Sequence, residues 1–252
     1  GIEARFIPAM GTQGAWPEAA DAAPLIDGRT RAIMLCSPNN PTGAIYPPQA
    51  IAALFDLARE KGIALVIDET YKDFREDKAP PHGLFARRGW QETFVHLYSF
   101  SKAFSMTGYR VGSIIAGRGL LADIEKILDC MTICPPHISQ LAALHALKEL
   151  GWWRDEKART MGERLSALRR AFRRPGLAYT LQSSGALFAY ARHPFAGRPA
   201  KEVAKGLAGD NDLLVLPGSM FGQGQEDFLR IAFANAEAAD MEILVDRLIE
   251  SQ

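Results

Sequence analysis

Residues 63–69 read IALVIDE, and the expected architecture follows from them. The stretch begins with five apolar residues in a row, three of which are β-branched. An uninterrupted apolar run of this length is typical of a strand that is buried on both faces, as in a parallel sheet. Two carboxylates, those of Asp68 and Glu69, follow the run directly. The stretch therefore predicts a central parallel strand with an acidic carboxyl end.

The segments around this strand continue the order of strand, helix and strand. Residues 31–36 form another short apolar run, and a turn rich in Pro and Asn closes it. Between Pro47 and Gly62, apolar residues recur at helical spacing, with prolines at the start and a glycine at the end. Two further apolar runs, at 94–98 and 111–116, predict strands. This order predicts an α/β domain whose doubly wound sheet is mainly parallel.

The pattern changes after about residue 139, where leucines at helical spacing predict long helices. Short apolar runs then predict four strands, at 179–181, 186–190, 213–216 and 228–233, and a closing helix is predicted at 236–249. We therefore expect two domains, a large one over residues 1–140 and a small α+β domain over residues 141–252.

The composition excludes several classes of function. The chain carries 29 basic and 29 acidic residues, so no excess charge favours nucleic acid or an anionic membrane surface. The sequence has no apolar run of about 18 residues, and we expect no membrane-spanning helix. Three cysteines do not make a disulfide scaffold, which favours a reducing, cytoplasmic compartment. Cys130 and Cys134 have no second Cys or His pair at ligand spacing, so we expect no metal site.

The chemistry of the chain concentrates where the predicted strands end. Lys102 follows the strand at 94–98 within the sequence SFSK, and Arg110 comes shortly after it. In an open α/β sheet, ligands bind beyond the carboxyl ends of the strands. An amine at that position can form an imine with an aldehyde, while hydroxyls and a guanidinium hold a phosphate. Taken alone, Lys102 fits an exposed lysine in a serine-rich loop better.

Two other strand ends carry groups of related use. Asp68 closes a buried strand, where a lone carboxylate is costly unless it is paired, and a pyridinium nitrogen is a suitable partner. Tyr71 follows within reach of the hydroxyl of such a ring. Asn40 lies in the turn at 39–43, where Pro and Gly hold an amide rigidly enough to donate to a phenolate oxygen. The alternatives are a turn cap for Asp68 and a plain turn at 39–43.

Together, these motifs resemble one enzyme family. The motifs are SPNNPTG at 37–43, DETY at 68–71, SFSK at 99–102, TGYR at 107–110, PGSMFG at 217–222 and FLRIAFA at 228–234. Their order and spacing resemble the class I and II aminotransferases, which are pyridoxal-phosphate (PLP) enzymes of fold type I in the aspartate aminotransferase superfamily. The resemblance implies a mainly parallel large domain, a small α+β C-terminal domain, and transfer of an amino group between an α-amino acid and a 2-oxo acid.

The resemblance also implies a role for each matching residue. Lys102 would hold PLP as a Schiff base and move a proton at the substrate α-carbon, and Asp68 would pair with the ring nitrogen. Asn40 and Tyr71 would hydrogen-bond the ring oxygen. The hydroxyls of Ser99 and Ser101 and the guanidinium of Arg110 would bind the phosphate. Arg230 would hold the substrate α-carboxylate, with help from Asn40.

Members of this family carry a large N-terminal stretch that has no match here, including a loop that completes the phosphate site. We therefore expect a chain that lacks the N-terminal part and that binds PLP weakly or not at all by itself. The family also implies a homodimer. Two other interpretations stay open. One is a different PLP reaction on the same fold, such as that of a lyase or a decarboxylase, and the other is the PLP-sensing domain of a transcription regulator.

Overall fold

The computed structural model of the chain describes residues 1–9 and 15–252. These residues form two compact units. The first unit comprises Gly1–Pro38, Ile45–Asp73 and Asp77–Glu156. The second unit comprises Asn39–Ala44, Phe74–Glu76 and Lys157–Gln252. Two short segments from the first half of the chain thus belong to the second unit, and the division into domains at residue 140 stays a prediction.

The first unit contains a four-stranded sheet. Its strands are β1 (Ala32–Cys36), β2 (Ala64–Asp68), β3 (Phe94–Ser99) and β4 (Gly112–Ile115), and their order in space is their order in the chain. Strands β1, β2 and β3 are parallel, whereas β4 is antiparallel to β3. The prediction of an α/β fold with a mainly parallel sheet is confirmed.

Burial along β2 differs between the two faces of the sheet. Leu65 and Ile67 are completely buried, and Phe94, which is level with Leu65 on β3, is buried with them. On the other face, Val66 is partly exposed, and Met34, which is level with it on β1, is 67% exposed. The expectation that β2 is buried on both faces is therefore wrong for the described residues, because they cover one face of the sheet more fully than the other.

The helices of the first unit are α1 (Ala19–Ala22), α2 (Pro48–Glu60), α3 (Arg118–Met131) and α4 (His137–Glu149), and α5 (Gly151–Ala171) continues from the first unit into the second. Helix α2 forms as expected, with a proline in its first turn and Gly62 at a φ of +64° after its end. Its apolar stripe is completely buried, at Ile51, Leu54, Phe55 and Ala58. Within the described parts of the chain, no helix combines the length and apolar character needed to cross a membrane.

The second unit contains an antiparallel sheet. Its strands are β5 (Thr180–Gly185), β6 (Phe188–Arg192), β7 (Leu216–Pro217) and β8 (Phe228–Ala232), in the spatial order β5-β6-β8-β7. Its helices are α6 (Ala200–Asp210), α7 (Asp240–Glu250) and the C-terminal part of α5. Completely buried residues from helices and strands share one core, among them Leu168, Ala189, Leu229 and Val245. This is the α+β architecture expected of the C-terminal part.

Two predicted elements of this unit have different bounds in the structure. The predicted strand at 213–216 pairs only from Leu216 onward, because the N–H of Leu213 donates to the carbonyl of Leu207 in α6 at 2.9 Å. The apolar pattern there arises from burial without strand pairing, since Leu213 and Val215 are both buried. The closing helix begins at Asp240 rather than at 236, and the carboxylate of Asp240 accepts the N–H of Glu237 at 2.7 Å.

Candidate active site

The sheet of the first unit brings several of the predicted residues to one edge. Strands β1, β2 and β3 are parallel, so their carboxyl ends lie at the same edge. Strand β4 runs in the opposite direction and begins there, since Gly112 is level with Ser99. The loop between β3 and β4, which carries Lys102 and Arg110, therefore leaves and returns at the edge where β2 ends in Asp68.

Hydrogen bonds hold the loop between β3 and β4 in place. The hydroxyl of Ser99 accepts the N–H of Ser101 at 3.2 Å, and the hydroxyl of Thr107 donates to the carbonyl of Ser101 at 3.1 Å. At the base of the loop, the N–H of Phe100 donates to the carbonyl of Val111 at 3.3 Å. The apolar side chains of the loop are buried, at Phe100, Ala103, Phe104 and Met106. The loop is thus a fixed support for its polar residues.

The two cations of this loop, Lys102 and Arg110, are exposed. Arg110 lies in the left-handed region with a φ of 52°, and its Nη1 donates to the carbonyl of Thr107 at 3.1 Å. Among the residues that the structure describes, neither Lys102 nor Arg110 forms an ion pair with a carboxylate. Two such cations on a loop that also carries serine hydroxyls suit an anion such as a phosphate.

Asp68 is held by its own turn through one of its two carboxylate oxygens. Its Oδ1 accepts the backbone N–H of Thr70 at 2.9 Å and the hydroxyl of the same residue at 2.6 Å. The predicted alternative of a turn cap thus describes one oxygen of this carboxylate. Its Oδ2 makes no hydrogen bond with the described part of the chain, and the side chain is partly exposed. Tyr71, which follows in the same turn, is buried.

Arg230 and Asn40 lie together in the second unit, although 190 residues separate them in the chain. Nη1 of Arg230 on β8 donates to Oδ1 of Asn40 at 2.9 Å. The guanidinium carbon lies 5.0 Å from the ring centroid of Phe188 and 4.9 Å from that of Phe221. Both rings attract the cation and limit its orientation. The planar group is therefore arranged before any carboxylate binds to it.

The turn that carries Asn40 is fixed onto the hairpin of β5 and β6. Gly43 has a φ of +70°, and a Cβ atom at this position would lie 2.3 Å from the carbonyl oxygen of Phe188. The hydroxyl of Ser183 on β5 donates to the carbonyl of Thr42 at 2.6 Å. Only glycine meets both demands, positive φ and close approach, and its presence lets the turn rest on the hairpin.

Sequence reasoning missed three kinds of residue around these groups. Phe188 and Phe221 received no role, since aromatic residues in a strand and a loop carry no signal of cation contact by themselves. Glu69 was quoted only as the neighbour of Asp68. His82 and His96 belong to no recognisable motif, and both are buried against Glu69. The alternation of side chains along β2 could have placed Glu69 on the other face of the sheet, but no spacing reveals its partners.

Comparison with known proteins gives a consistent result. A family model described as aminotransferase class I and II matches residues 12–248. The aromatic-amino-acid aminotransferase 2 of Thermococcus litoralis is 30% identical over 210 residues, which are 82% of this chain and 54% of that protein. The chain thus spans little more than half the length of this curated relative.

Solved structures of similar fold carry related names. An aromatic aminotransferase from Pyrococcus horikoshii OT3 has a TM-score of 0.84 and 26% identity, over 94% of this chain and 63% of its own. The aspartate aminotransferase from Thermus thermophilus with maleate has a TM-score of 0.82 and 26% identity, over 94% of this chain and 60% of its own. Both matches extend through both units of the present structure.

Proposed function

We infer the function from one premise: the chain belongs to the aminotransferase class I and II family. We propose that the protein transfers an amino group between an α-amino acid and a 2-oxo acid, with PLP as its cofactor. The first unit would supply groups that hold the cofactor, and the second unit would supply an arginine for the substrate carboxylate.

The residues of the first unit fit PLP in charge and in chemistry. The two cations without acidic partners in the described chain match an anionic phosphate, and this observation carries the proposal. The phosphate would be bound by Ser99, Ser101 and Arg110. Lys102 would attach the cofactor covalently through its amine. The second carboxylate oxygen of Asp68 would pair with the ring nitrogen. Tyr71 is proposed for the ring oxygen, together with Asn40, which belongs to the second unit.

When bound, PLP supplies an electron sink for the bond that breaks at the substrate α-carbon. An ionised Asp68 keeps a proton on the ring nitrogen and so maintains that property. The amine of Lys102 takes up and returns the proton of the α-carbon. Arg230 binds the α-carboxylate with two parallel N–H groups, which fixes the position of the α-hydrogen. Asn40 helps by holding Nη1 of this guanidinium.

Borohydride trapping tests the cofactor proposal. The protein is incubated with saturating PLP, reduced with sodium borohydride and digested, and the labelled peptide is identified by mass spectrometry. We expect the label on Lys102 and its loss in Lys102→Ala. The exposed Lys61 at the end of α2 serves as an internal comparison. Label distributed over surface lysines according to their exposure would show that the cofactor proposal is wrong.

Product analysis tests the reaction. With 2-oxoglutarate as acceptor, transfer consumes the acceptor in proportion to the 2-oxo acid that forms from the donor. Turnover without acceptor, with release of ammonia or carbon dioxide, would instead favour the lyase or decarboxylase alternative. Aromatic and acidic amino acids are the first donors to test, because the similar proteins described above are named for them.

We also propose that the whole protein is a cytoplasmic homodimer. Large apolar side chains on α3 and α4 support an interface with another surface, since 59% of Ile127, 72% of Met131 and 62% of Leu147 is exposed. The three free cysteines support a reducing compartment. Sedimentation of the protein at several concentrations tests the dimer. We further expect the chain by itself to lose PLP on dialysis, which absorbance at the cofactor band would show.

A further inference from the structure

Glu69 is a buried carboxylate next to the residue proposed to hold the cofactor ring. Successive side chains of a strand alternate between the two faces of a sheet, so Glu69 lies on the face opposite to Asp68. Only 1% of Glu69 is exposed. Its N–H donates to the carbonyl of Leu97 at 2.9 Å, which continues the pairing of β2 with β3 for one more residue. The backbone on both sides of Asp68 is therefore part of the sheet.

Two histidines lie beside the carboxylate of Glu69. Nε2 of His96 lies 2.9 Å from Oε2, and Nε2 of His82 lies 3.3 Å from Oε1. Nδ1 of His82 accepts the N–H of Leu84 at 3.2 Å, so this nitrogen carries no proton. The proton of a neutral His82 must then lie on Nε2, which faces Glu69. Only His96 has the geometry of a hydrogen bond to the carboxylate, because Oε1 of Glu69 and Nε2 of His82 lie close to each other without forming one among the described residues.

The surroundings of this cluster are aromatic. Phe94 and Phe85 contact His82 at ring separations of 5.1 and 5.8 Å, and both histidines are buried. The ring of Tyr98 stacks on His96 at 6.5 Å. Charged groups lie next to Tyr98. Its hydroxyl donates to the carboxylate of Asp73 at 2.7 Å, and the ammonium of Lys72 lies 5.0 Å from its ring.

The cluster keeps a negative charge inside the fold. Burial raises the pKa of the Glu69 carboxyl, but the imidazole groups of His82 and His96 beside its two oxygens outweigh this effect and lower the pKa to about 2. A buried carboxylate that stays ionised has one strongly preferred position, because any displacement separates it from its hydrogen-bond donor, here His96. The backbone that carries it is restrained in the same way.

We propose that Glu69, held by His96 and packed against His82, is a positioning residue that fixes the Asp68 carboxylate from the far face of the sheet. This inference rests on the proposed function, because it assigns Asp68 to the cofactor ring. Three amides report on the restraint, since the N–H groups of Glu69, Thr70 and Lys72 donate to Leu97, Asp68 and Glu69 respectively. If the restraint is lost, Asp68 meets the ring nitrogen in a wider range of orientations.

The variant Glu69→Gln tests this proposal, because it removes the charge of the side chain and preserves its shape. In the chain without cofactor, we expect the amides of residues 69, 70 and 72 to exchange hydrogen roughly tenfold faster than in the wild type. With saturating PLP, we expect the pH at which the bound cofactor changes its absorption spectrum to move by about one unit. His96→Gln, which retains an N–H donor, should restore most of both properties relative to His96→Leu.

Phe85→Leu is the matched control, because it lies in the same aromatic layer, 5.7 Å from the His96 ring, and leaves the carboxylate intact. It should lower the melting temperature without changing either readout. If Glu69→Gln behaves in the same way, the cluster is structural only and the proposal is overturned. If Glu69→Gln does not fold, the two His96 variants decide by the same readouts. If the wild type binds no PLP, the proposed function fails, and hydrogen exchange alone still decides whether Glu69 restrains Asp68.

Discussion

The two cationic groups of the candidate site are built in opposite ways. In the first unit, Lys102 and Arg110 are exposed on one loop and have no acidic partner among the described residues. In the second unit, Arg230 is held by Asn40 at 2.9 Å and lies about equally close to two aromatic rings. One region leaves positive charge unsatisfied, whereas the other restrains it before any ligand is present.

This difference suits two kinds of ligand. A phosphate that stays bound brings its own negative charge and neutralises the loop permanently, so the loop needs charge more than fixed orientation. A substrate carboxylate enters and leaves in every cycle, and each binding event is weaker if the arginine must first be ordered. A guanidinium already arranged by an amide and two rings avoids that cost. Substitutions in each region should therefore have separable effects.

Loss of Lys102 should have the largest effect. Lys102→Ala removes both covalent attachment of the cofactor and the proton carrier, so we expect transamination to fall by about a thousandfold or more. Binding of the substrate carboxylate should be unaffected, since Arg230 belongs to the other unit. Steady-state kinetics with added PLP measures the first effect, and the Kd of a substrate analogue measures the second. An equal loss of transamination activity and of analogue affinity would contradict the separate roles proposed for Lys102 and Arg230.

Arg230→Lys should have the next largest effect. A lysine retains the charge but cannot present two parallel N–H groups, so we expect kcat/KM to fall by about 10–100-fold through a higher KM. The absorption band of the bound cofactor should not change. Arg192→Lys is the control, because Arg192 also lies over an aromatic ring, Phe228 at 4.8 Å, but pairs with Asp227 at the surface. A fall in cofactor affinity in Arg230→Lys would contradict the division of roles.

The two regions also differ in how far the sequence predicted them. The loop after β3 is local: Ser99, Lys102 and Arg110 lie within a few residues of one strand end, and strand direction alone places them at one edge. The contact of Asn40 with Arg230 joins distant parts of the chain, and only the resemblance to a family suggested that the two act together. Their roles in binding stay predictions.

Other features lay beyond sequence reasoning for physical reasons. Residues Asn39–Ala44 belong to the second unit, although the residues before and after them belong to the first. The turn lies against the second unit through the close approach of Gly43 to the carbonyl of Phe188. A turn motif does not specify the residues on which it packs. The pairing of Glu69 with His82 and His96 depends on which side chains meet behind the sheet. Strand spacing gives the face on which a residue lies, but not the residues that cover it.

Gly43→Ala tests the support of the second region. Gly62→Ala is its matched control, because Gly62 also has positive φ, +64°, but a Cβ atom there meets nothing within 4 Å. We expect Gly62→Ala to cost about 1 kcal/mol from backbone strain alone. Gly43→Ala should cost about 1–3 kcal/mol more, because the Phe188 carbonyl must move. Denaturant midpoints measure the costs, and only Gly43→Ala should weaken binding of a substrate analogue. Equal costs would show that the turn is not packed as described.

The smallest effects should come from a pair of hydroxyls that play the same part in the two regions. The hydroxyl of Thr70 donates to Oδ1 of Asp68 at 2.6 Å, and that of Thr42 donates to Oδ1 of Asn39 at 2.9 Å. Replacing either threonine by valine keeps the shape. Thr70→Val removes one hydrogen bond, worth about 1 kcal/mol, whereas Thr42→Val also removes the bond that the Thr42 hydroxyl accepts from the N–H of Ala44 at 3.2 Å. Thr70→Val should lower the affinity for PLP and leave the substrate-analogue Kd unchanged.

Thr42→Val should lower the affinity for the analogue more than the affinity for PLP, because it loosens the turn through which Asn40 holds Nη1 of Arg230 and leaves the carboxylate of Asp68 intact. The two affinities are measured on both variants, by fluorescence for PLP and by calorimetry for the analogue. A common fall in both affinities for both variants would mean that the two regions respond as one site. If Thr70→Val mainly weakens PLP binding and Thr42→Val mainly weakens analogue binding, the two regions act on different ligands, since both substitutions remove the same chemical group.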